Sequence, residues 1–199
     1  MQIGNIFSGI SSLGIGSRVV LWTLGCLKHC PGCISPEYQF FDKEKERSVE
    51  DIIEELKEYK FDGVTISGGE PFLWSKELKE LVKLIKKNFT DDILIYSGYT
   101  IEELYAKNDK DINYILKNIA VLVDGPFVQS QLDNVLLRGS KNQRILVMNP
   151  KYLKPYQEYL KQEKVVNLVK QGRAMYVIGV PIEGMQDAMM SLMEESDYE

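Results

Sequence analysis

Three cysteines, one histidine and two tryptophans are all that the 199 residues contain of those types. An odd, clustered set of cysteines is poor material for a disulfide framework, which points to a reducing compartment. No Ser-His-Asp arrangement, P-loop or G-x-G-x-x-G nucleotide fingerprint is evident. No apolar run approaches the roughly 18 residues that a membrane helix needs. Positive charge is also short. Twenty-four Lys and Arg stand against 29 Asp and Glu, for a net charge of −5 and a pI of about 5.1. That balance argues against broad binding to nucleic acid or to anionic membranes. The opening stretch "MQIGNIFSGISSLGIGSR" lacks the charged start and small-residue cleavage site of a secretory leader, so the expected location is the cytoplasm. Internal repeats and low-complexity segments are absent too.

Apolar residues make up 44% of the chain, enough for a sizeable core. "VVLWTLG" (19–25), "GVTIS" (63–67), "DILIYSG" (92–98), "AVLVDGPF" (120–127) and "QRILVM" (143–148) read as strands. Between them lie helical patterns. "SVEDIIEELKEY" (48–59) has Ser48 as a cap and Ile52, Ile53 and Leu56 on one face. "SKELKELVKLIKKNF" (75–89) puts Leu78, Leu81, Val82 and Ile85 on one face, and "TIEELYA" and "INYILKN" are also helical. Such alternation predicts an α/β fold with a parallel sheet and crossover helices. Five or six units are too few for a closed eight-unit barrel, so the expectation is a partial, open β/α barrel. This core is expected to span residues 1–149. After Pro150 the pattern changes. Residues 163–180 read as two β runs joined at Gln171-Gly172, and "EGMQDAMMSLMEE" reads as a helix with Met185, Met189 and Met193 at four-residue spacing. Residues 150–199 are therefore expected to form a hairpin-plus-helix extension packed on the core. The methionine stripe suits core packing or an adaptable docking face.

All three cysteines fall in "LGCLKHCPGCISPE" (24–37), as Cys26, Cys30 and Cys33, directly after the first predicted strand. Plain buried cysteines rarely gather so closely. A structural zinc ion takes four ligands. His29 could be the fourth, but it lies within the loop beside Cys30, which makes joint tetrahedral ligation awkward. A fully protein-ligated iron–sulfur cluster also takes four thiolates. Three thiolates leave one iron open for another ligand.

C-x3-C-x2-C at the end of one strand and "SGGEP" (67–71) at the end of the next together resemble the two motifs of the radical S-adenosylmethionine (SAM) superfamily. "GCLKHCPGCISPE", "VTISGGEPFL", "LIYSGYTIEEL", "VLVDGPFV" and "LLRGSKNQRI", in that order, resemble the glycyl-radical activating enzymes, in particular the activating proteins of anaerobic (class III) ribonucleotide reductase. The similarity covers about residues 14–147. Where many glycyl-radical activases carry Asp-Gly-Pro-Gly-x-Arg, this chain has "LGIGSR", keeping Arg18 only. Many radical SAM enzymes place an aromatic before the third cysteine; here Gly32 stands there.

The resemblance implies a 4Fe-4S cluster on Cys26, Cys30 and Cys33, with SAM chelated at the open iron. One electron then cleaves SAM to methionine and a 5′-deoxyadenosyl radical, with the protein supplying binding and orientation. The backbone of Gly68 and Gly69 is expected to approach the methionyl ammonium, with Glu70 orienting that loop or meeting the ammonium. The backbone around Gly32, Cys33 and Ile34 is expected on the adenine side. Ser97 and Asp124 end the third and fourth strands, where open α/β sheets place ligand groups, and each could instead be a cap or turn residue. The stretch Lys141, Asn142, Gln143 and Arg144 is either a surface turn or lies near the mouth of the site. The implied partners are a glycyl-radical protein, foremost anaerobic ribonucleotide reductase, and a flavodoxin- or ferredoxin-type electron donor. Two other readings stay open: a radical SAM enzyme acting on another peptide or protein, and a non-enzymatic iron–sulfur or zinc module.

Overall fold

The structure is a computed structural model that describes residues 1–172 and 174–180. The helix expected over 183–195, with its methionine stripe, lies outside the described residues. Six strands form one sheet in chain order: β1 (Ile3–Ile10), β2 (Arg18–Thr23), β3 (Gly63–Gly68), β4 (Ile93–Ser97), β5 (Val121–Asp124) and β6 (Arg144–Val147). β2 to β5 are parallel, whereas β1 and β6 pair antiparallel at the two edges. The parallel connections carry helices: α1 (Val49–Leu56), α2 (Ser75–Asn88), and α3 (Ile101–Ala106) with α4 (Lys110–Asn118). The antiparallel turn of β6 has a local cause. Within 125–143 there is only a 3-10 helix, Gln129–Gln131, and no α-helical crossover to carry the chain back.

β1 was not apparent in the sequence pattern. Gly4, Ser8 and Gly9 dilute its alternation, and register shifts at Ile3/Asn5 and Phe7/Ile10 break the two-residue period. Caps fix the helix starts. Ser48 accepts from the Asp51 amide, and Thr100 forms a capping box with Glu103. α2 buries Leu78, Leu81, Val82 and Ile85 completely. Each such side chain contributes about 1.5–3 kcal/mol by leaving water.

The two faces of the sheet bury different things. Val19, Leu21, Val64, Ile66, Ile93 and Ile95 pack on the helices. The opposite residues, Val20, Trp22 and Leu94, face a layer built largely by other segments. That layer includes α5 (Leu153–Tyr159) and an antiparallel hairpin of β7 (Asn167–Gln171) and β8 (Ala174–Ile178). α5 was not foreseen, because Pro155 interrupts a seven-residue element. Ile178 and Val180 pack with Phe7, Ile10, Leu13, Val20 and Trp22, and Tyr156 and Tyr159 pack with Leu94, Val121 and Val123. Asn167 Oδ1 accepts from the Ser11 and Ser12 amides, and Ser12 Oγ donates to the Ile178 carbonyl at 2.9 Å. The loops after β2, β3, β4 and β5 share the carboxyl end of the parallel strands, since Thr23 is level with Gly68 and Ser97 with Asp124. In α/β sheets that end holds the ligand crevice.

Candidate active site at the carboxyl end of the sheet

The cysteine loop leaves β2 through Gly25, whose φ of 89° lies in the left-handed region that glycine accepts. Two backbone bonds tie the loop to the chain that follows: Gly25 N to Tyr38 O at 2.9 Å and Cys26 N to Gln39 O at 3.0 Å. The neighbouring loop is stitched to it. Gly69 N donates to Thr23 O, and Glu70 N donates to Gly25 O, both at 2.8 Å. Trp74 Nε1 reaches the Leu24 carbonyl at 2.9 Å. A side chain at Gly69 would collide with the backbone of Gly25 and Tyr38. A glycine is therefore required there to let one loop approach another, and not because of positive φ; of the pair, only Gly68 has it, at 111°.

Glu70 is 1% exposed. Its Oε1 accepts from the Phe72 amide at 3.1 Å and from Ser97 Oγ at 3.0 Å, and its Oε2 accepts from the Gly98 amide at 2.7 Å. Ser97 Oγ in turn accepts from the Tyr99 amide. Burial outweighs these bonds and pushes the Glu70 carboxyl up to about 7. Glu70 thus joins the ends of β3 and β4 and fixes the glycine-rich loop between them.

Cys26, Cys30 and Cys33 are half-buried and form no disulfide with one another, and they line one wall of a cavity of about 390 Å³. Ile34, Gly68, Gly69, Glu70 and Ser97 line it as well. Gly32 and Asp124 do not. Gly32, at φ 67°, turns the cysteine loop against the Gln129 side chain. Asp124 is fully buried and accepts from both Nε and Nη2 of Arg144 and from the Ile101 amide at the start of α3. Arg144 continues to Glu102, whose carboxyl it holds down at about 2. Gln143 lines the cavity and braces its rim by bonding Gly139, Ser140 and Gly125. Asn142 donates to Pro126 O, and the Lys141 amide to Gln131 O. His29 is exposed, with Nδ1 3.4 Å from Gln39 Oε1.

The donor set has the chemistry of an iron–sulfur cluster: three cysteine thiols on one loop, at the wall of one cavity. Burial, then the charges of Cys26 and Cys33, push the Cys30 thiol up. Soft thiolates on a half-buried loop are the iron–sulfur donor set.

Sequence reasoning missed the far wall. Phe7, Leu13, Trp22, Tyr38, Tyr96 and Tyr176 face the same cavity. Their positions depend on β1 and on the hairpin's packing, which no local pattern reveals. Lys28 was missed as well. It crosses from the cysteine loop to Glu103 at 3.3 Å and lies 4.2 Å above the Tyr99 ring.

Three thiols and a glycine-rich loop at one crevice of an α/β sheet are the donor set and the setting of an iron–sulfur site. The chain belongs to the family described as 4Fe-4S single cluster domain, which matches residues 12–146. More particularly, its relatives are glycyl-radical activating enzymes. It is 38% identical over 144 residues to the anaerobic ribonucleoside-triphosphate reductase-activating protein of Haemophilus influenzae, covering 66% of this chain and 88% of that protein. The protein of that name from Escherichia coli K12 is 34% identical over 65% of this chain and 88% of its own length. The pyruvate formate-lyase-activating enzyme of Staphylococcus epidermidis is 30% identical over 67% of this chain and 55% of its own. Among the described residues no helix is long and apolar enough to cross a membrane.

Proposed function

We propose that this protein activates an anaerobic ribonucleotide reductase by installing a radical on a glycine of that partner. One observation carries the reading: the three thiols and the loop Gly68–Glu70 face one cavity, and backbone bonds from Gly69 and Glu70 to Thr23 and Gly25 tie that loop to the entry of the cysteine loop, in a chain whose relatives are named as activating proteins of an anaerobic reductase. When bound, the cluster and SAM supply a 5′-deoxyadenosyl radical, formed together with methionine by one-electron cleavage of SAM, that takes one hydrogen atom from the glycine. Cys26, Cys30 and Cys33 hold the cluster. Gly68 and Gly69 present backbone to the methionyl end of SAM, and the backbone of Cys33 and Ile34 runs on its adenine side, with Gly32 turning the loop behind them. Glu70 and Ser97 act by holding the glycine-rich loop, and Asp124 by fixing Arg144 and the start of α3. The six-stranded sheet is read as the wall of an open barrel, with residues 1–149 as the core and 150–199 as an extension laid on it. A flavodoxin- or ferredoxin-type protein in the cytoplasm supplies the electron.

The test is electron paramagnetic resonance of the same organism's anaerobic reductase after incubation with this protein, SAM and a reductant without oxygen. A glycyl-radical signal is expected. Its absence with the cluster shown intact would overturn the reading.

A further inference from the structure

The cavity has two unlike halves. One carries the thiols, the glycine-rich loop and the Glu70–Ser97 pair. The other is apolar and aromatic: Phe7, Leu13 and Trp22 from the first 24 residues, and Tyr176, Ile178 and Val180 from the end of the described chain. The family match stops at residue 146, so this second half is closed by chain that lies outside it. The hairpin is firmly seated. The Tyr176 ring lies 4.8 Å from that of Phe7, which meets Trp22 at 5.8 Å, and Trp22 stacks on Tyr38 at 6.1 Å. Asn167 and the Ile178 carbonyl anchor both hairpin strands to Ser11 and Ser12.

From this we infer that the inner face of the β7–β8 hairpin, Tyr176 foremost, is a specificity-determining wall that receives the apolar side chains flanking the target glycine of the partner. The inference rests on the activase reading. Given that reading, the occupant follows from the continuity of the cavity. A glycine must come within reach of the polar half, and a peptide cannot enter as one residue. Its neighbours have to lie against whatever borders that half, which here is an aromatic and aliphatic surface. A preformed apolar wall favours a segment with apolar or aromatic neighbours and disfavours charged ones, whose desolvation it cannot repay. Tyr176 suits the task because it stands on a strand rather than on a mobile loop and is already ordered by Phe7, so little entropy is lost on contact.

The experiment uses the cluster-loaded full-length protein and titrates the same organism's anaerobic ribonucleotide reductase, with glycyl-radical yield as readout. Wild type must first give the radical; if it does not, the activase reading fails, whatever the wall does. Tyr176→Ala is expected to raise the reductase concentration for half-maximal activation about tenfold, the range of one lost apolar contact. The half-saturation for SAM, read from the cluster's spectrum, is expected to move less than about twofold over the same comparison. Tyr176→Phe is expected to behave as wild type, since it keeps the ring. Met175→Ala, on the exposed side of the same strand, is the control for hairpin damage. An unmoved reductase titration in Tyr176→Ala overturns the proposal, as does an equal shift in SAM half-saturation or an equal effect of Met175→Ala. If Tyr176→Ala loses its cluster or aggregates, Tyr176→Leu takes its place under the same criteria.

Discussion

Two acids buried at opposite ends of the parallel sheet, Asp92 and Glu70, are held differently; a third, Asp124, shares the carboxyl end with Glu70 but is paired with the partly exposed Arg144. At the amino end, Asp92 meets a guanidinium. Arg18 is 0% exposed and donates to Asp92 Oδ2 at 2.9 Å, to Thr65 Oγ1 at 2.7 Å and to the carbonyls of Val64 and Ile15. Tyr156 Oη, from α5, adds a bond to Asp92 Oδ1 at 2.9 Å. At the carboxyl end, Glu70 has only neutral donors in direct contact, two amides and a hydroxyl. A buried acid bonded to a buried guanidinium serves as an anchor. A buried acid with neutral partners is left near the point of titration. Glu70 lines the same cavity as the cysteines, at the end that carries the candidate site.

The largest effect should come from that end itself. Replacing Cys26, Cys30 or Cys33 singly with alanine is expected to abolish iron–sulfur loading and glycyl-radical formation, with the secondary structure unchanged. All three lie half-buried on a loop and outside the apolar clusters, so the fold does not depend on them. Iron content and circular dichroism check this; a variant with normal iron removes that residue from the ligand set.

The amino end should answer in the opposite currency. Arg18→Leu leaves the Asp92 carboxylate buried without its cation, a change that costs about 3–5 kcal/mol. A fall of that size in unfolding free energy, with normal iron loading in the folded fraction, is the expected result. A loss under about 1 kcal/mol would mean that water or Tyr156 replaces the guanidinium, and the contrast between the two ends would weaken.

Part of this contrast could be read from the sequence and part could not. α2 announced itself by the spacing of Leu78, Leu81, Val82 and Ile85, and the cysteines by theirs. Both signals are local. The Glu70–Ser97 bond spans 27 residues and the Arg18–Asp92 pair 74. Each exists only because parallel register brings the strand ends level, and nothing near any one of these residues encodes that. Ser97 and Asp124 were correctly placed at strand ends, yet what they bond depends on partners that appear only in three dimensions. Gln143 and the hairpin reached the cavity for the same reason. β6 looked like one more parallel strand because its run "QRILVM" is silent about direction. What sets it is the connection before it, which holds no crossover helix.

Between the extremes stands Gly69→Val, which separates loop–loop packing from side-chain chemistry. A branched side chain would strike the backbone of Gly25 and Tyr38. Backbone cannot rotate away as a side chain can, so the cost should sit at the upper end for overpacking, about 3 kcal/mol. Because the clash falls beside Cys26, iron loading should decline together with SAM affinity. Loss of SAM binding at full iron content would show instead that Gly69 serves the ligand alone.

The smallest effect is a pH slope, and it tests Glu70 directly. Its carboxyl titrates at about 7 when folded, against a usual 4.5. The folded protein therefore holds this proton more tightly than the unfolded chain does. The associated stability is fully present below about pH 4.5 and is lost as the pH rises through about 7. Glu102 works in the other direction, because Arg144 holds its carboxyl at about 2. Its contribution is present above about pH 4.5 and fades only as acid approaches its folded value, so the two windows do not overlap. Unfolding free energy of the cluster-free wild type should thus fall by roughly 1–3 kcal/mol between pH 5 and 8 relative to Glu70→Gln, which cannot titrate. The substitution also places an amide N–H2 among N–H and O–H donors, so Glu70→Gln should be less stable at every pH, by about 1–3 kcal/mol. The slope and the offset are separate observations. Parallel curves for the two proteins would mean that Glu70 stays ionised throughout, and that three neutral donors suffice to hold a buried carboxylate at this end of the sheet.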